Sequence, residues 1–185
     1  MDTSEFCQTD DWNFTVVRSR RRTMALVLYP DNRLVIRCGL RTPQDEIRRF
    51  VAAKSAWIQR KTRENNDRRI LRLPPASQRP AFSRQTRRQV LEIMARFPGY
   101  EPARLVIRPQ KSRWGSVSSR GTLSINLCAG LLPPDLLEFV VVHELCHLVH
   151  FNHSPSFYQL LRQILPDADR RRQELKRYSP DPDIL

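Results

Sequence analysis

DLLEFVVVHELCHLVH, residues 135–150, is apolar on almost every side. Leu136, Leu137, Phe139, Val140, Val141, Val142, Leu145, Cys146, Leu148 and Val149 leave no continuous polar stripe at helical spacing, and a helix without one belongs inside a protein. Into this stretch fall His143, Glu144 and His147. Burying a carboxylate without a partner is costly, so a positive charge is expected beside Glu144. All four histidines of the chain lie in HELCHLVHFNH, residues 143–153, and that concentration needs a reason.

His143 and His147 are four residues apart, which on a helix puts both rings on one face, one turn apart. Two imidazoles so placed can reach one ion, with Glu144 close enough to touch a water on that ion without binding the metal itself. This is the HExxH pattern, read as two zinc ligands and a general base. A catalytic zinc needs a third protein ligand and one open position. His153 is the preferred third ligand, because the chain can leave the helix near His150–Asn152 and fold back. His150 is a rival, but it lies about 10 Å along the axis from His143. Downstream acids, Asp167, Asp169 and Glu174, are further rivals. The spacing HExxHxxxxxH matches the metzincins at the ligand positions. The likeness ends there: their glycine position is His150, and all methionines (Met1, Met24, Met94) lie upstream of the motif.

The rest of the chain sets the frame. Its 185 residues suit one well-packed domain with a small appendage, and an apolar fraction of 40% still permits a core. The net charge of +13 attracts nucleic acid, nucleotides or anionic lipid. Arginine supplies 28 of the 32 basic residues, and its planar fork suits phosphate and carboxylate. The arginines are spread along the chain, so codon bias explains them as well as a phosphate-bearing partner does. Cys7, Cys38, Cys128 and Cys146 show no CxxC pairing. The acidic start MDTSEFCQTDDWN is no signal peptide, and no apolar run approaches a membrane span. A reduced, cytoplasmic setting without membrane attachment is expected.

Along the chain, residues 1–13 read as a flexible N-terminus. Residues 14–63 read as a β-rich and helical subdomain: Met24–Tyr29 and Arg33–Cys38 flank the turn Pro30-Asp31-Asn32 as a hairpin, and Thr42-Pro43 opens a helix reaching about Arg63. Residues 64–82, with Pro74-Pro75 and Pro80, read as a linker. Ser83 caps a helix that Pro98-Gly99 stops. ARLVIRP, residues 103–109, is a strand, and RWGSVSS and GTLSINL form a hairpin about Arg120-Gly121. The histidine helix follows to roughly His150, then a shorter helix about Pro155–Leu165. Residues 83–167 make the catalytic domain, and residues 168–185 a basic C-terminal tail whose SPDPDIL reads as a loose end.

Three stretches, FVAAKSAWIQRK (50–61), QKSRWGSVSSRGTLSINL (110–127) and VVHELCHLVHFNHSPSFY (141–158), resemble the YgjP-like metallopeptidase family, relatives of the SprT and WLM zincins. The resemblance spans about residues 14–165. It implies an α+β fold whose zincin-like catalytic half runs helix, small mostly antiparallel sheet, histidine helix, following helix, preceded by an N-terminal β-hairpin and helix. It implies a Zn2+ ion on His143, His147 and His153, with Glu144 as base. Val117 departs from the small or cysteine residue expected in relatives. In zincin-type folds an edge strand beside the active helix pairs with an extended peptide, and the hairpin at Arg113–Asn126 is the candidate. Arg113 and Trp114 face the cleft on this reading, with Arg113 holding an oxyanion or substrate carboxylate; a structural ion pair and a core Trp are the alternative. Tyr158 steadies the tetrahedral intermediate or merely packs, and Cys146 is core.

The expected function is therefore a zinc-dependent hydrolase, a metallopeptidase acting on peptide or protein, with Glu144 taking a proton from a zinc-bound water. The alternatives are a metal-dependent nucleotide phosphohydrolase (pyrophosphatase) and a nucleic-acid-associated protease, both served by the arginines. Oligomeric state is left open.

Overall fold

A computed structural model describes residues 3–9 and 11–181, and the chain divides into two compact units, Met1–Arg68 and Arg69–Leu185. The first is built on a four-stranded sheet of order β1-β2-β4-β3: β1 (Thr3–Gln8), β2 (Asn13–Ser19), β3 (Ala25–Leu28) and β4 (Leu34–Gly39). The expected hairpin is β3–β4, with Leu26 opposite Ile36. Its turn is closed by Asn32 N–H donating to Tyr29 O at 2.9 Å, with Asn32 at φ 65°, a left-handed conformation that asparagine tolerates. Strand β2 lies parallel to β4, with Val16 opposite Ile36. Phe14, Val16, Leu34, Ile36 and Cys38 alternate inward and bury against Ile47, Val51 and Ile58. Those last three sit on α1 (Gln44–Ala53) and α2 (Ser55–Asn66). One continuous helix was expected here. The break at Lys54 has neither proline nor glycine to cause it, and it coincides with a tertiary bond from Trp12 Nε1 to Ser55 Oγ at 3.2 Å.

The start of the chain also differs from expectation. Residues 3–8, read as part of a loose end, form β1, which pairs antiparallel with β2. The segment 64–82 is more than a linker. Helix α2 runs into it, β5 (Arg69–Leu71) occupies its middle, and α3 (Arg79–Met94) begins inside it, with Pro80 in the first turn. A proline there forfeits no helical hydrogen bond, so the residue read as a breaker is a starter.

In the second unit, β6 (Arg104–Arg108), β7 (Gly115–Val117) and β8 (Thr122–Asn126) form a sheet of order β6-β8-β7. The β7–β8 hairpin is antiparallel, whereas β6 pairs parallel with β8, so the sheet is mixed. Helix α4 (Pro134–Cys146) opens with Pro134 and Asp135 in its first turn, both favourable at a helix start. Its valines are helical against their propensity because burial overrides it. One side, Leu136, Leu137, Val140, Val141 and Leu145, packs with Leu123 and Ile125 of β8 and Val90 and Ile93 of α3. The other, Phe139, Val142 and Cys146, packs with Phe157, Leu161, Leu165 and Ala168. These belong to α5 (Pro155–Ile164), the residue just beyond it, and α6 (Ala168–Leu175). The basic tail is therefore ordered through α6 and β9 (Tyr178–Pro180), which pairs parallel with β5. Of the expected loose end, residues 182–185 lie outside the described residues. Among the described residues no helix is long and apolar enough to cross a membrane, and all four cysteines are free.

Candidate metal centre

Helix α4 stops earlier than its sequence suggests. His147 caps it, and Leu148 and Val149 form a tightened turn in which Val149 N–H donates to Cys146 O at 3.1 Å. The chain then doubles back through Asn152 to His153. Ser154 caps α5, its hydroxyl accepting from Phe157 N–H at 3.4 Å, and Pro155 fills the first helical position. This short reversal places the His153 ring centroid 5.1 Å from that of His143 and 4.7 Å from that of His147.

One nitrogen from each of His143, His147 and His153 lies within 4.8 Å of the others. The Nε2 atoms of His143 and His153 stand 3.0 Å apart, close to the roughly 3.3 Å expected for two nitrogens at 2.0–2.1 Å from one tetrahedral ion. His147 Nδ1 lies 2.9 Å from the His150 carbonyl oxygen. That oxygen can only accept, so Nδ1 carries the proton and Nε2 keeps its lone pair. Burial holds His143 down to about 3, helped by the charges of His147, His153 and Arg172. Burial and the charges of His147 and Arg172 lower His153 as well. His143 and His153, held towards their neutral form, join His147 in a donor set that suits a borderline-soft divalent ion.

His150 contributes its backbone carbonyl to this arrangement, not its ring. The rival acids are engaged elsewhere: Asp167 with Arg170 and Arg171, Asp169 with Arg162, and Glu174 with Arg170.

Glu144 is 7% exposed. Burial pushes its carboxyl up to about 7, against the opposing pull of the Arg113 charge. The positive partner expected from sequence is therefore Arg113, exposed on the loop before β7 and acting without a direct ion pair. Gly115 closes over the carboxylate: a Cβ built there would lie 2.6 Å from Glu144 Cγ and 2.9 Å from Oε1. The loop carrying Arg113 and Gly115 is held by Asn126, fully buried at the end of β8. Its Nδ2 donates to Gln110 O (2.6 Å) and Arg113 O (2.7 Å), while its Oδ1 accepts from Gln110 N–H (3.3 Å) and Cys128 N–H (3.1 Å). Trp114 packs partly buried against the core beside β8.

Sequence reading missed Phe157. Fully buried, its ring stacks on His147 at 4.6 Å and meets His143 and His153 edge-on at 4.9 Å each. It forms the floor on which all three imidazoles rest. Only the apolar spacing of α5 hinted at it. Tyr158, the next residue, stacks 6.1 Å from His153, and its ring lies beneath the guanidinium groups of Arg162 (5.9 Å) and Arg172 (5.2 Å). Cys146 is buried in the core beside Phe157.

The three imidazoles, with the buried Glu144 carboxylate next to His143 on α4, form a group that could hold a divalent ion. Residues 76–178 match the family model described as YgjP-like, metallopeptidase domain. The chain belongs to that family, and it is a hydrolase of the metallopeptidase kind. Two solved structures are similar over part of the fold. The metallopeptidase zymogen of Methanocaldococcus jannaschii jannalysin is 25% identical, over 49% of this chain and 92% of that one, with a TM-score of 0.42. The zymogen of Pyrococcus abyssi abylysin is 24% identical, over 51% and 98%, with a TM-score of 0.40. No curated protein matches the chain.

Proposed function

We propose that the chain is a zinc metallopeptidase in which His143, His147 and His153 hold the ion and Glu144 is the general base. The observation that carries this reading is the convergence of three imidazole nitrogens within 4.8 Å beside a carboxylate that burial raises to about 7. When bound, the ion supplies Lewis acidity to a water and to the scissile carbonyl. Glu144 takes a proton from the attacking water and delivers it to the leaving amine. Burial, which raises its proton affinity, helps it hold the proton between the two transfers. Arg113 sits beside Glu144 and Tyr158 beside His153, placed to stabilise negative charge developing on the carbonyl oxygen.

The substrate backbone is taken up by β7. Among the described residues it is an edge strand, paired only with β8, and its other edge can add an extended peptide by main-chain hydrogen bonds. Gly115 at the start of β7 brings that edge against Glu144.

The test is elemental analysis of purified protein together with a screen of peptide and casein substrates, run on wild type and Glu144→Gln. Stoichiometric zinc and cleavage lost in the variant are expected. Phosphate release from nucleotides with no peptide cleavage would assign the centre to the phosphohydrolase chemistry instead.

A further inference from the structure

Helix α6 carries three consecutive arginines, and their fates differ. Arg170 pairs with Asp135, Asp167 and Glu174, and Arg171 with Glu138 and Asp167. Arg172 has no carboxylate within ion-pair distance among the described residues. Asp169, an acid its charge reaches, is already bonded to Arg162 at 2.8 Å. Arg172 instead lies 5.2 Å over the Tyr158 ring, which His153, Phe157 and Arg162 also flank. An exposed, unpaired guanidinium is thus tethered beside the imidazole cluster. A cation–π contact of this kind occupies no carboxylate, so the guanidinium fork is still available to one. Arg113 adds a second exposed and unpaired cation on the Glu144 side. Among the described residues neither of these two guanidinium groups forms an ion pair with a carboxylate.

We infer that Arg172 is a specificity-determining residue, and that it reads a substrate carboxylate next to the scissile bond, either an acidic side chain or a free C-terminus. This rests on the peptidase reading above. A charge-assisted, bidentate bond to one carboxylate changes recognition about tenfold to a hundredfold.

The experiment uses otherwise identical short peptides carrying Glu, Gln or Lys beside the scissile bond, each as free acid and as C-terminal amide. They are assayed with zinc-loaded wild type, Arg172→Ala and Arg172→Glu. Wild type should favour one carboxylate form in kcat/KM. Arg172→Ala should collapse that preference about tenfold or more, and Arg172→Glu should turn it towards Lys. The Glu-over-Gln and acid-over-amide arms tell a side chain from a C-terminus. Calorimetric binding of the same peptides to Glu144→Gln, with and without Arg172→Ala, reads the same preference without turnover. Equal kcat/KM for all peptides, or a preference unchanged in Arg172→Ala, overturns the inference while leaving the peptidase reading intact. No cleavage of any peptide overturns the peptidase reading, and the binding arm then decides Arg172 alone.

Discussion

Gly115 lies so close to Glu144 that one added methyl group would stand 2.6 Å from its Cγ and 2.9 Å from its Cδ. No real Cβ occupies such a position, so either strand β7 or the carboxylate must move. Gly115→Ala should therefore cut kcat/KM about a hundredfold, the scale on which a misplaced catalytic group acts. Zinc content should stay at the wild-type value, because the imidazoles do not touch Gly115. Full activity in this variant would show that Glu144 needs no fixed seat.

The third ligand can be isolated by two alanine variants. His153→Ala should weaken zinc binding by at least about a hundredfold, measured by competition with a chromophoric chelator. His150→Ala should retain the ion, since its carbonyl, which orients His147, survives the change. Loss of metal from His150→Ala with retention in His153→Ala would reverse the assignment.

Glu144→Gln should keep zinc and lose hydrolysis by about a hundredfold to ten-thousandfold. It also carries a pH signature with chelator present. Above about 4.5 the unfolded chain releases the Glu144 proton, whereas the folded chain keeps it to about 7. Ionisation therefore drains wild-type stability as pH rises through that window. The amide that replaces the carboxyl has no such proton to release, so the variant should gain on wild type between these values, levelling off on the order of 3 kcal/mol above neutrality. Parallel urea unfolding at pH 4 and pH 8 checks it.

Phe157→Ala should cost about 3–5 kcal/mol, as removal of a buried aromatic ring does. It should also loosen zinc binding, because the three imidazoles lose their common support. Urea unfolding with and without chelator separates the two effects: the stability loss persists in both, and the metal-dependent increment shrinks.

How far the sequence led depends on the range of each interaction. The histidine helix was legible because its spacing is local: His143 and His147 share a face by helical geometry alone, and Ser154-Pro155 marks the next start. The β3–β4 hairpin was legible for the same reason, through Pro30-Asp31-Asn32. The parallel pairings β2–β4, β5–β9 and β6–β8 were not, because each joins strands distant in sequence and leaves no turn to read. Pro80 misled because proline at a first helical turn and proline in a linker look alike without the chain that follows. Phe157 reads as one more apolar residue on α5, and only folding reveals that its ring faces three imidazoles. Asn126 likewise looks like a strand end until its amide is seen holding the 110–113 loop.

The reversal from Cys146 to Ser154 has a thermodynamic corollary. An ion shared by His143 and His153 would close a ring of only about ten residues, and the chain entropy removed by so small a ring is modest. Such a clasp would fasten a corner, not the scaffold, whose cohesion comes from apolar contacts on both flanks of α4. Loading and stripping the ion should therefore proceed by local fraying of this corner, with the surrounding layers undisturbed.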